Sequence, residues 1–200
     1  MNNNDQLTAP SSEAPKKNTS SAASLLFDLA ETILISTAVV ILLFTFVIRL
    51  AVVDGPSMNQ TLNHGDALIV SDLAFEPKYG DIIVAQKIHS GWPTPIVKRV
   101  IATGGQVVDI DFATWTVTVD GEIIDESEYI YLAKDAIMTA NISFPVTVPE
   151  GQLFVMGDNR NHSSDSRDYR IGFIDERCVF GRVLVRITPI SDFEIFERFQ

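Results

Sequence analysis

Residues 114–124 read Thr-Trp-Thr-Val-Thr-Val-Asp-Gly-Glu-Ile-Ile, and this stretch is the clearest indication of the fold. Threonine, valine and tryptophan are typical of β-strands. The pair Asp120-Gly121 readily adopts the positive φ angles of a two-residue hairpin turn. The stretch therefore predicts two antiparallel strands joined by a tight turn. We expect this hairpin to belong to a small β insertion between about residues 109 and 146.

The same strand pattern continues on both sides of the hairpin. From residue 51 onward, short runs of Val, Ile and Phe are separated by Gly, Pro, Asn and Asp, which is typical of β proteins. Residues 51–200 are therefore predicted to form a mainly β body. Its further predicted strands lie at residues 67–70, 81–86, 96–101, 107–110, 114–119, 153–156 and 180–187.

A long apolar run precedes the β body, and residues 32–48 contain no charged side chain. About 20 such residues span a bilayer as a helix, whereas a buried core helix usually keeps a polar stripe. A cleaved export signal is a second alternative, because Lys16 and Lys17 precede the run. However, the run exceeds the usual apolar length of about 7–15 residues, and no small-x-small cleavage motif follows it. We therefore predict a transmembrane helix over residues 24–50.

The segment before the helix differs in composition from the rest of the chain. Residues 1–23 are rich in Asn, Ser, Thr, Ala and Pro, which predicts a flexible tail. Lys16 and Lys17 precede the helix and Arg49 follows it, and the excess of positive charge marks the cytoplasmic side. We therefore expect a single-pass protein of the cytoplasmic membrane, in contact with membrane lipid. Its tail would be cytoplasmic and residues 51–200 would lie outside the cytoplasm.

Charge and cysteine content exclude several classes of function. The formal net charge is −11, and Lys and Arg form no basic stripe, so no nucleic-acid partner is expected. The single cysteine, Cys178, cannot form an intramolecular disulfide and provides no thiolate cluster for a metal. We therefore expect neither a bound metal nor a cofactor.

Ser57 and Lys98 could together carry hydrolytic chemistry. A serine hydroxyl needs a base within hydrogen-bond reach, and that base is sometimes a lysine. Lys98 lies between Ile96-Val97 and Val100-Ile101. In apolar surroundings the lysine pKa falls, and the neutral amine becomes a competent base. The alternative is a solvent-facing Lys98 on a strand and a Ser57 that belongs to an ordinary Gly-Pro-Ser turn.

Four segments, taken in this order, resemble the type I signal peptidases. They are Gly55-Pro56-Ser57-Met58-Asn59-Gln60-Thr61-Leu62, Gly80-Asp81-Ile82-Ile83-Val84, Val97-Lys98-Arg99-Val100-Ile101, and the block from Val148-Pro149-Glu150-Gly151 through Val155-Met156-Gly157-Asp158-Asn159-Arg160 to Asp165-Ser166-Arg167. The resemblance covers nearly all of residues 30–187. It implies an antiparallel β-sheet catalytic domain behind one N-terminal transmembrane helix. The implied enzyme removes signal peptides from exported preproteins after a small-x-small motif and needs no metal.

The resemblance also implies roles for individual residues. Ser57 would be the nucleophile and Lys98 its general base, and Ser163 would hydrogen-bond and orient Lys98. Ion pairs of four further side chains would hold the wall of the active site: Asp158, Arg160, Asp165 and Arg167.

The oxyanion hole and the substrate pockets follow from the same resemblance. Some family members carry a serine at the place of Gly55, and its hydroxyl completes the oxyanion hole beside the Ser57 N–H. Glycine has no side-chain donor, so the second donor is unassigned here, although other members also have glycine. The positions that match pocket residues of the family are Val53, Met58, Leu62 and Val97, and they would form shallow apolar pockets.

One other catalytic mechanism and two other functions are alternatives to a signal peptidase with a Ser57-Lys98 dyad. A Ser-His-Asp triad would use His162 with Asp158 or Asp165, whereas His64 and His89 are weaker candidates. A self-cleaving repressor shares the Ser-Lys dyad, but the apolar helix and the acidic charge argue against it. A membrane-tethered binding module, in which Ser57 and Lys98 are incidental, is the non-enzymatic alternative.

Overall fold

The computed structural model describes residues 22–73, 75–86, 94–132 and 139–198. The chain divides into two units, residues 1–41 and residues 42–200. The described elements are α1 (Ala22–Phe46), β1 (Arg49–Val52), β2 (Ala67–Ser71), β3 (Ile82–Ala85), β4 (Ile96–Thr103), β5 (Val107–Asp111), β6 (Thr116–Val119), β7 (Glu122–Ile123), β8 (Val146–Thr147), β9 (Gln152–Met156), β10 (Ile174–Asp175), β11 (Val179–Thr188) and β12 (Glu194–Ile195).

Helix α1 is the one helix in the described ranges that is long and apolar enough to cross a membrane. The prediction of a helix over residues 24–50 is wrong at its C-terminal end, because α1 stops at Phe46 and Arg49 begins β1. Strand β1 pairs with β2, and Arg49 NH1 donates a hydrogen bond to Phe180 O at 2.9 Å. These long-range partners outweigh the local helical preference of the apolar run. Residues 1–21 of the predicted tail lie outside the described residues, and Ala22 and Ala23, which were predicted to end the tail, belong to α1 instead.

The larger sheet has eight strands, and every pairing in it is antiparallel. Its order is β1-β2-β11-β3-β4-β9-β10, with β12 paired to β11. The prediction of a mainly antiparallel β body is confirmed. Strands β3, β4 and β9 lie side by side in its middle, and their side chains are almost all buried.

The smaller sheet has four strands in the order β7-β6-β5-β8. In the β6–β7 hairpin Val119 lies opposite Glu122, and the turn residues Asp120 and Gly121 have φ angles of 54° and 85°. The hairpin prediction is confirmed. Strand β6 begins two residues later than predicted, because Trp115 has a φ of 65° and belongs to the preceding turn.

Phe154 of β9 joins the two sheets. Its side chain is fully buried, and its ring contacts those of Phe144 and Phe173, with centroids 6.0 and 6.2 Å away. The same cluster contains apolar residues of both sheets, among them Ile101, Val108, Ile110, Val117 and Met156. Burial of this apolar surface is what holds the smaller sheet against the larger one.

We expect Phe154→Ala to lower the free energy of unfolding by about 3–5 kcal/mol, because a cavity replaces the buried ring. The control is Phe193→Ala, which removes a ring that is 58% exposed and should change stability by less than about 0.5 kcal/mol. Urea unfolding of the detergent-solubilised protein measures both. Equal effects of the two substitutions would show that the buried ring does not join the sheets.

Candidate active site

Ser57 lies in the loop that connects β1 to β2. The loop is closed at its base, where Val53 N donates to Asp66 O at 2.9 Å. The side chains of Met58 and Leu62 are fully buried and anchor the loop in the core. Ser57 itself is half-buried between these anchors and the base of the loop.

Lys98 reaches Ser57 from β4. Its Nζ lies 2.8 Å from Ser57 Oγ and donates a second hydrogen bond to Val97 O, also at 2.8 Å. Only 4% of Lys98 is exposed, so the alternative of a solvent-facing lysine is wrong. The distance between the amine and the hydroxyl is the one that proton transfer requires.

The surroundings of Lys98 favour a neutral amine. Burial lowers the pKa of Lys98 from 10.5 to about 8; the negative charges of Asp165 and Asp158 oppose this shift, and the positive charge of Arg167 adds to it. About one amine in ten is therefore neutral at pH 7, and about half are neutral at pH 8. A buried lysine of this kind can accept the serine proton near physiological pH.

The backbone carbonyl groups of Pro56 and Ser57 are held by the signature loop, which we define as residues 157–167. Asn159 N donates to Ser57 O at 3.0 Å, and Asn159 Nδ2 donates to Pro56 O at 3.1 Å. Thr61 Oγ1 donates to Asp158 Oδ2 at 2.6 Å. Neither Asn159 nor Thr61 was expected to have a role, although both lie inside the segments that carry the family resemblance.

Asp158 also holds the strand of the lysine. Arg99, the residue after Lys98, donates from Nε to Asp158 Oδ1 at 2.8 Å and from NH2 to Oδ2 at 2.7 Å. Arg99 NH1 donates to Gly80 O at 2.8 Å. Both members of this ion pair are buried. A two-pronged pair of this kind fixes orientation as well as distance.

Asp165 is the second buried carboxylate beside the dyad. It accepts hydrogen bonds from Arg167, from Gly157 N at 3.0 Å and from Ser163 Oγ at 2.6 Å. Burial would raise the pKa of Asp165, but the hydrogen bonds and charge of Arg167 outweigh burial and lower it. Asp165 is therefore ionised at physiological pH.

The prediction that Ser163 orients Lys98 is not what the structure shows. Ser163 Oγ donates to Asp165, whereas the hydrogen bonds of Lys98 Nζ go to Ser57 Oγ and Val97 O. An ionised carboxylate is a stronger acceptor for a hydroxyl than an amine is, which accounts for this choice. Ser163 therefore supports Asp165 and acts on Lys98 only through it.

Gly157 leaves no room for a side chain. A Cβ atom there would lie 2.5 Å from Ser57 O and closer still to Ser163 Oγ. The strand end that carries Gly157 and the loop that carries Ser57 can approach each other this closely because glycine has no Cβ.

A cleft of about 980 Å³ opens onto the dyad. Its apolar lining includes Val52, Val53, Val70, Val84, Ile96, Val97 and Phe180, and Ser57 and Lys98 lie among them. Two of the four predicted pocket residues, Val53 and Val97, are in this lining. Met58 and Leu62 are not, because the turn between them, with Leu62 N bonded to Met58 O, directs both side chains into the core.

The two histidines in the described ranges, His64 and His162, do not form a triad with Ser57. Ser57 Oγ is paired with Lys98, and His162 is exposed. His64 Nδ1 accepts a hydrogen bond from Gly55 N at 3.2 Å, so the backbone N–H of Gly55 is already engaged. His89 lies outside the described residues. Within the described ranges no group of three or more His, Cys, Asp or Glu side chains could hold a metal.

Residues 26–188 match the family model of the signal peptidases, peptidase S26. The chain belongs to this family. It is 34% identical to a probable signal peptidase I-1 of Synechocystis over 80% of this chain and 81% of that one. It is 32% identical to a signal peptidase I of Bacillus licheniformis over 88% of this chain and 96% of that one. The crystal structure of a signal peptidase I from Enterococcus faecalis matches with a TM-score of 0.44 and 28% identity, covering 54% of this chain and 97% of that one.

The buried lysine of this S26 family member should lower its stability. With a pKa of about 8 in the folded protein and 10.5 in the unfolded chain, the protonated amine costs about 3 kcal/mol below pH 8, and this cost fades as the pH rises to 10.5. We expect Lys98→Met to raise the free energy of unfolding by up to about 3 kcal/mol at pH 7 and by less than about 1 kcal/mol at pH 10.

Urea unfolding at pH 7 and pH 10 measures this difference. The control is Lys78→Met at an exposed lysine, which should show no such dependence on pH. A gain from Lys98→Met that is the same at both pH values would contradict burial of an ionisable amine.

Proposed function

We propose that the protein is a membrane-bound serine endopeptidase that removes N-terminal signal peptides from exported preproteins. The separation of 2.8 Å between Lys98 Nζ and Ser57 Oγ is the observation that carries this proposal. Membership of the peptidase S26 family and the signal peptidase names of the relatives support the choice of substrate. The family match favours this activity over a self-cleaving repressor or a binding module.

The reaction begins with attack of Ser57 Oγ on the carbonyl carbon of the last residue in the small-x-small motif. The neutral amine of Lys98 accepts the hydroxyl proton as the C–O bond forms. The negative charge then develops on the carbonyl oxygen, to which the Ser57 N–H would donate. Collapse of this intermediate breaks the peptide bond, and Lys98 returns the proton to the leaving amine of the mature protein.

Hydrolysis of the acyl-enzyme completes the cycle. Lys98 accepts a proton from water, the resulting hydroxide attacks the ester carbonyl, and Ser57 Oγ leaves with a proton from Lys98. The signal peptide is released with a new carboxylate. Every proton transfer is made by one amine, so neither a metal nor a cofactor is required.

The apolar cleft beside the dyad suits the residues before the cleaved bond. Val53 and Val97 are in the lining of the cleft that also contains Ser57 and Lys98. We infer from these branched side chains beside the dyad that a small residue fits next to the nucleophile better than a large one. This lining supports a preference for small residues at the first and third positions before the cut.

The proposed enzyme is a single-pass protein of the cytoplasmic membrane. Helix α1 would span the bilayer in contact with lipid, residues 1–23 would be cytoplasmic, and residues 51–200 would lie outside. Lys16 and Lys17 support this orientation. An extracytoplasmic catalytic domain is on the side where exported precursors emerge.

Ser57→Ala and Lys98→Ala should each lower the cleavage of a preprotein by about 10³-fold or more, because one removes the nucleophile and the other its base. Cleavage is measured on a purified precursor in detergent. Ser127→Ala and Lys78→Ala, at an exposed serine and an exposed lysine, are the matched controls and should keep full activity. Full activity of either dyad variant would show that the catalytic assignment is wrong.

The pKa of about 8 for Lys98 predicts how activity depends on pH. Since the neutral amine is the base, kcat/KM should rise about tenfold from pH 6 to pH 7 and level off above pH 8. Steady-state cleavage of a precursor peptide between pH 5.5 and 9.5 measures this profile. A midpoint near pH 6.5 would indicate a histidine base instead.

A further inference from the structure

The segment of residues 125–131, which follows β7, lies against the signature loop. Tyr131 N donates to Asp158 O at 2.9 Å, and Tyr131 forms a β-bridge with Asn159. The smaller sheet thus sends one stretch of backbone back to the wall of the proposed active site. No function was expected for residues 125–131 from the sequence.

Glu126 of this segment forms a buried ion pair with Arg160 of the signature loop. Arg160 NH1 donates to Glu126 Oε2 at 2.7 Å, and Arg160 NH2 donates to Oε1. The exposed fraction is 6% for the Glu126 side chain and 0% for that of Arg160. Burial lowers the pKa of Arg160, but the hydrogen bonds and charge of Glu126 outweigh burial and raise it. Arg160 therefore stays charged, and its buried charge is stabilised by the carboxylate of Glu126.

The guanidinium of Arg160 passes this constraint on to the catalytic wall. Arg160 Nε donates to Gly157 O at 3.1 Å, and Arg160 O accepts a hydrogen bond from Arg167 NH2 at 2.8 Å. Gly157 is the residue packed against Ser57 O, and Arg167 is the partner of Asp165. A displacement of Arg160 would therefore move Gly157, which packs against Ser57 O, and Arg167, which is paired with Asp165.

Tyr129 extends the same constraint to the strand of the base. Its hydroxyl donates to Glu126 Oε1 at 2.9 Å, and its ring lies under the Arg99 guanidinium at 4.0 Å from the ring centroid. Arg99 is next to Lys98 and is bonded to Asp158. The segment therefore contacts the arginine beside the base as well as the arginine of the signature loop.

We infer that Glu126 is a positioning residue of the proposed peptidase, which holds the Gly157–Asp158 wall in register with Ser57 and Lys98 through Arg160. This inference rests on the proposed function. Glu126 touches neither the substrate nor the reacting atoms. Its effect should appear in the chemical step, because a displacement of about 1 Å in a catalytic group can lower the rate about 100-fold.

Glu126→Gln tests the inference in the detergent-solubilised full chain. The variant keeps the shape of the side chain and removes the charge that holds Arg160. We expect kcat per active site to fall about 10-fold to 100-fold while KM changes less than about twofold. Titration of Ser57 with a serine-directed acylating agent gives the number of active sites, so loss of folded protein does not enter the result.

The pH profile provides a readout that a purely structural role would not move. The charges of Asp158 and Asp165 raise the pKa of Lys98. If the wall shifts, these charges and the burial of Lys98 both change, so the midpoint of the kcat/KM profile should differ from its wild-type value. Partial unfolding would lower the number of active sites and leave this midpoint unchanged.

Glu128→Gln is the matched control, because it makes the same change two residues away at an exposed side chain. It should keep the wild-type kcat and pH midpoint. An active wild type together with equal kcat values per active site in the Glu126 and Glu128 variants would overturn the inference and leave the proposed function intact. A wild type that neither cleaves a precursor nor reacts with the acylating agent would overturn the proposed function itself.

Tyr129→Phe tests the inference if Glu126→Gln does not fold. This variant keeps the ring under Arg99 and removes the hydroxyl, which donates to Glu126 and lies 3.1 Å from the Tyr79 hydroxyl. We expect kcat per active site to fall about threefold to tenfold, and Tyr169→Phe, at an exposed tyrosine, should have no effect. Wild-type kcat in Tyr129→Phe would overturn the positioning role.

Discussion

The buried carboxylate of Asp158 is the group on which the arrangement of the catalytic dyad depends. One oxygen accepts from Arg99 Nε, and the other accepts from Arg99 NH2 and from Thr61 Oγ1. Thr61 belongs to the loop of Ser57, and Arg99 is adjacent to Lys98. Ser57 and Lys98 come from distant parts of the chain, and a single carboxylate joins the two parts. Without it the hydrogen bonds of Asn159 to Pro56 O and Ser57 O would still hold the loop of Ser57, but the side chain that bonds to that loop and to Arg99 at once would be lost.

The charged groups around the dyad are buried as pairs, and this has consequences for both stability and reactivity. Isolated buried charges are very unfavourable, and buried ion pairs add little net stability compared with apolar packing. The three pairs of Arg99 with Asp158, Arg160 with Glu126 and Arg167 with Asp165 therefore contribute mainly direction and register. Burial lowers the pKa of Lys98, whose hydrogen bonds go to a hydroxyl and a carbonyl rather than to a carboxylate. Lys98 can therefore act as a base, whereas each of the three arginines is held by a carboxylate.

Local chemistry made much of the fold predictable from the sequence. The pair Asp120-Gly121 determines its own turn, and short runs of Val, Ile and Phe between turn residues indicate most of the long strands. The end of α1 was missed, because the pairing of Arg49 with β2 and its bond to Phe180 depend on residues far along the chain. The sequence also gives no sign of the short strands β8, β10 and β12, which have only two residues each.

The candidate site was predictable where a motif is contiguous and unpredictable where partners are distant. The pairing of Ser57 with Lys98 was expected from the family resemblance, whereas Glu126 has no local feature that marks it as the partner of Arg160. Met58 and Leu62 were misplaced because the direction of a loop side chain depends on the turn that carries it. Ser163 was assigned to Lys98 from the family resemblance, and the sequence does not show that the ionised carboxylate of Asp165 accepts the hydrogen bond of this hydroxyl instead.

The absence of space at Gly157 has a consequence for the evolution of resistance. An acylating inhibitor that rests against this part of the wall would contact a position at which any side chain displaces the nucleophile loop. A substitution that weakens such an inhibitor by steric exclusion would also disturb the enzyme. Few substitutions at Gly157 would therefore be compatible with an intact nucleophile loop.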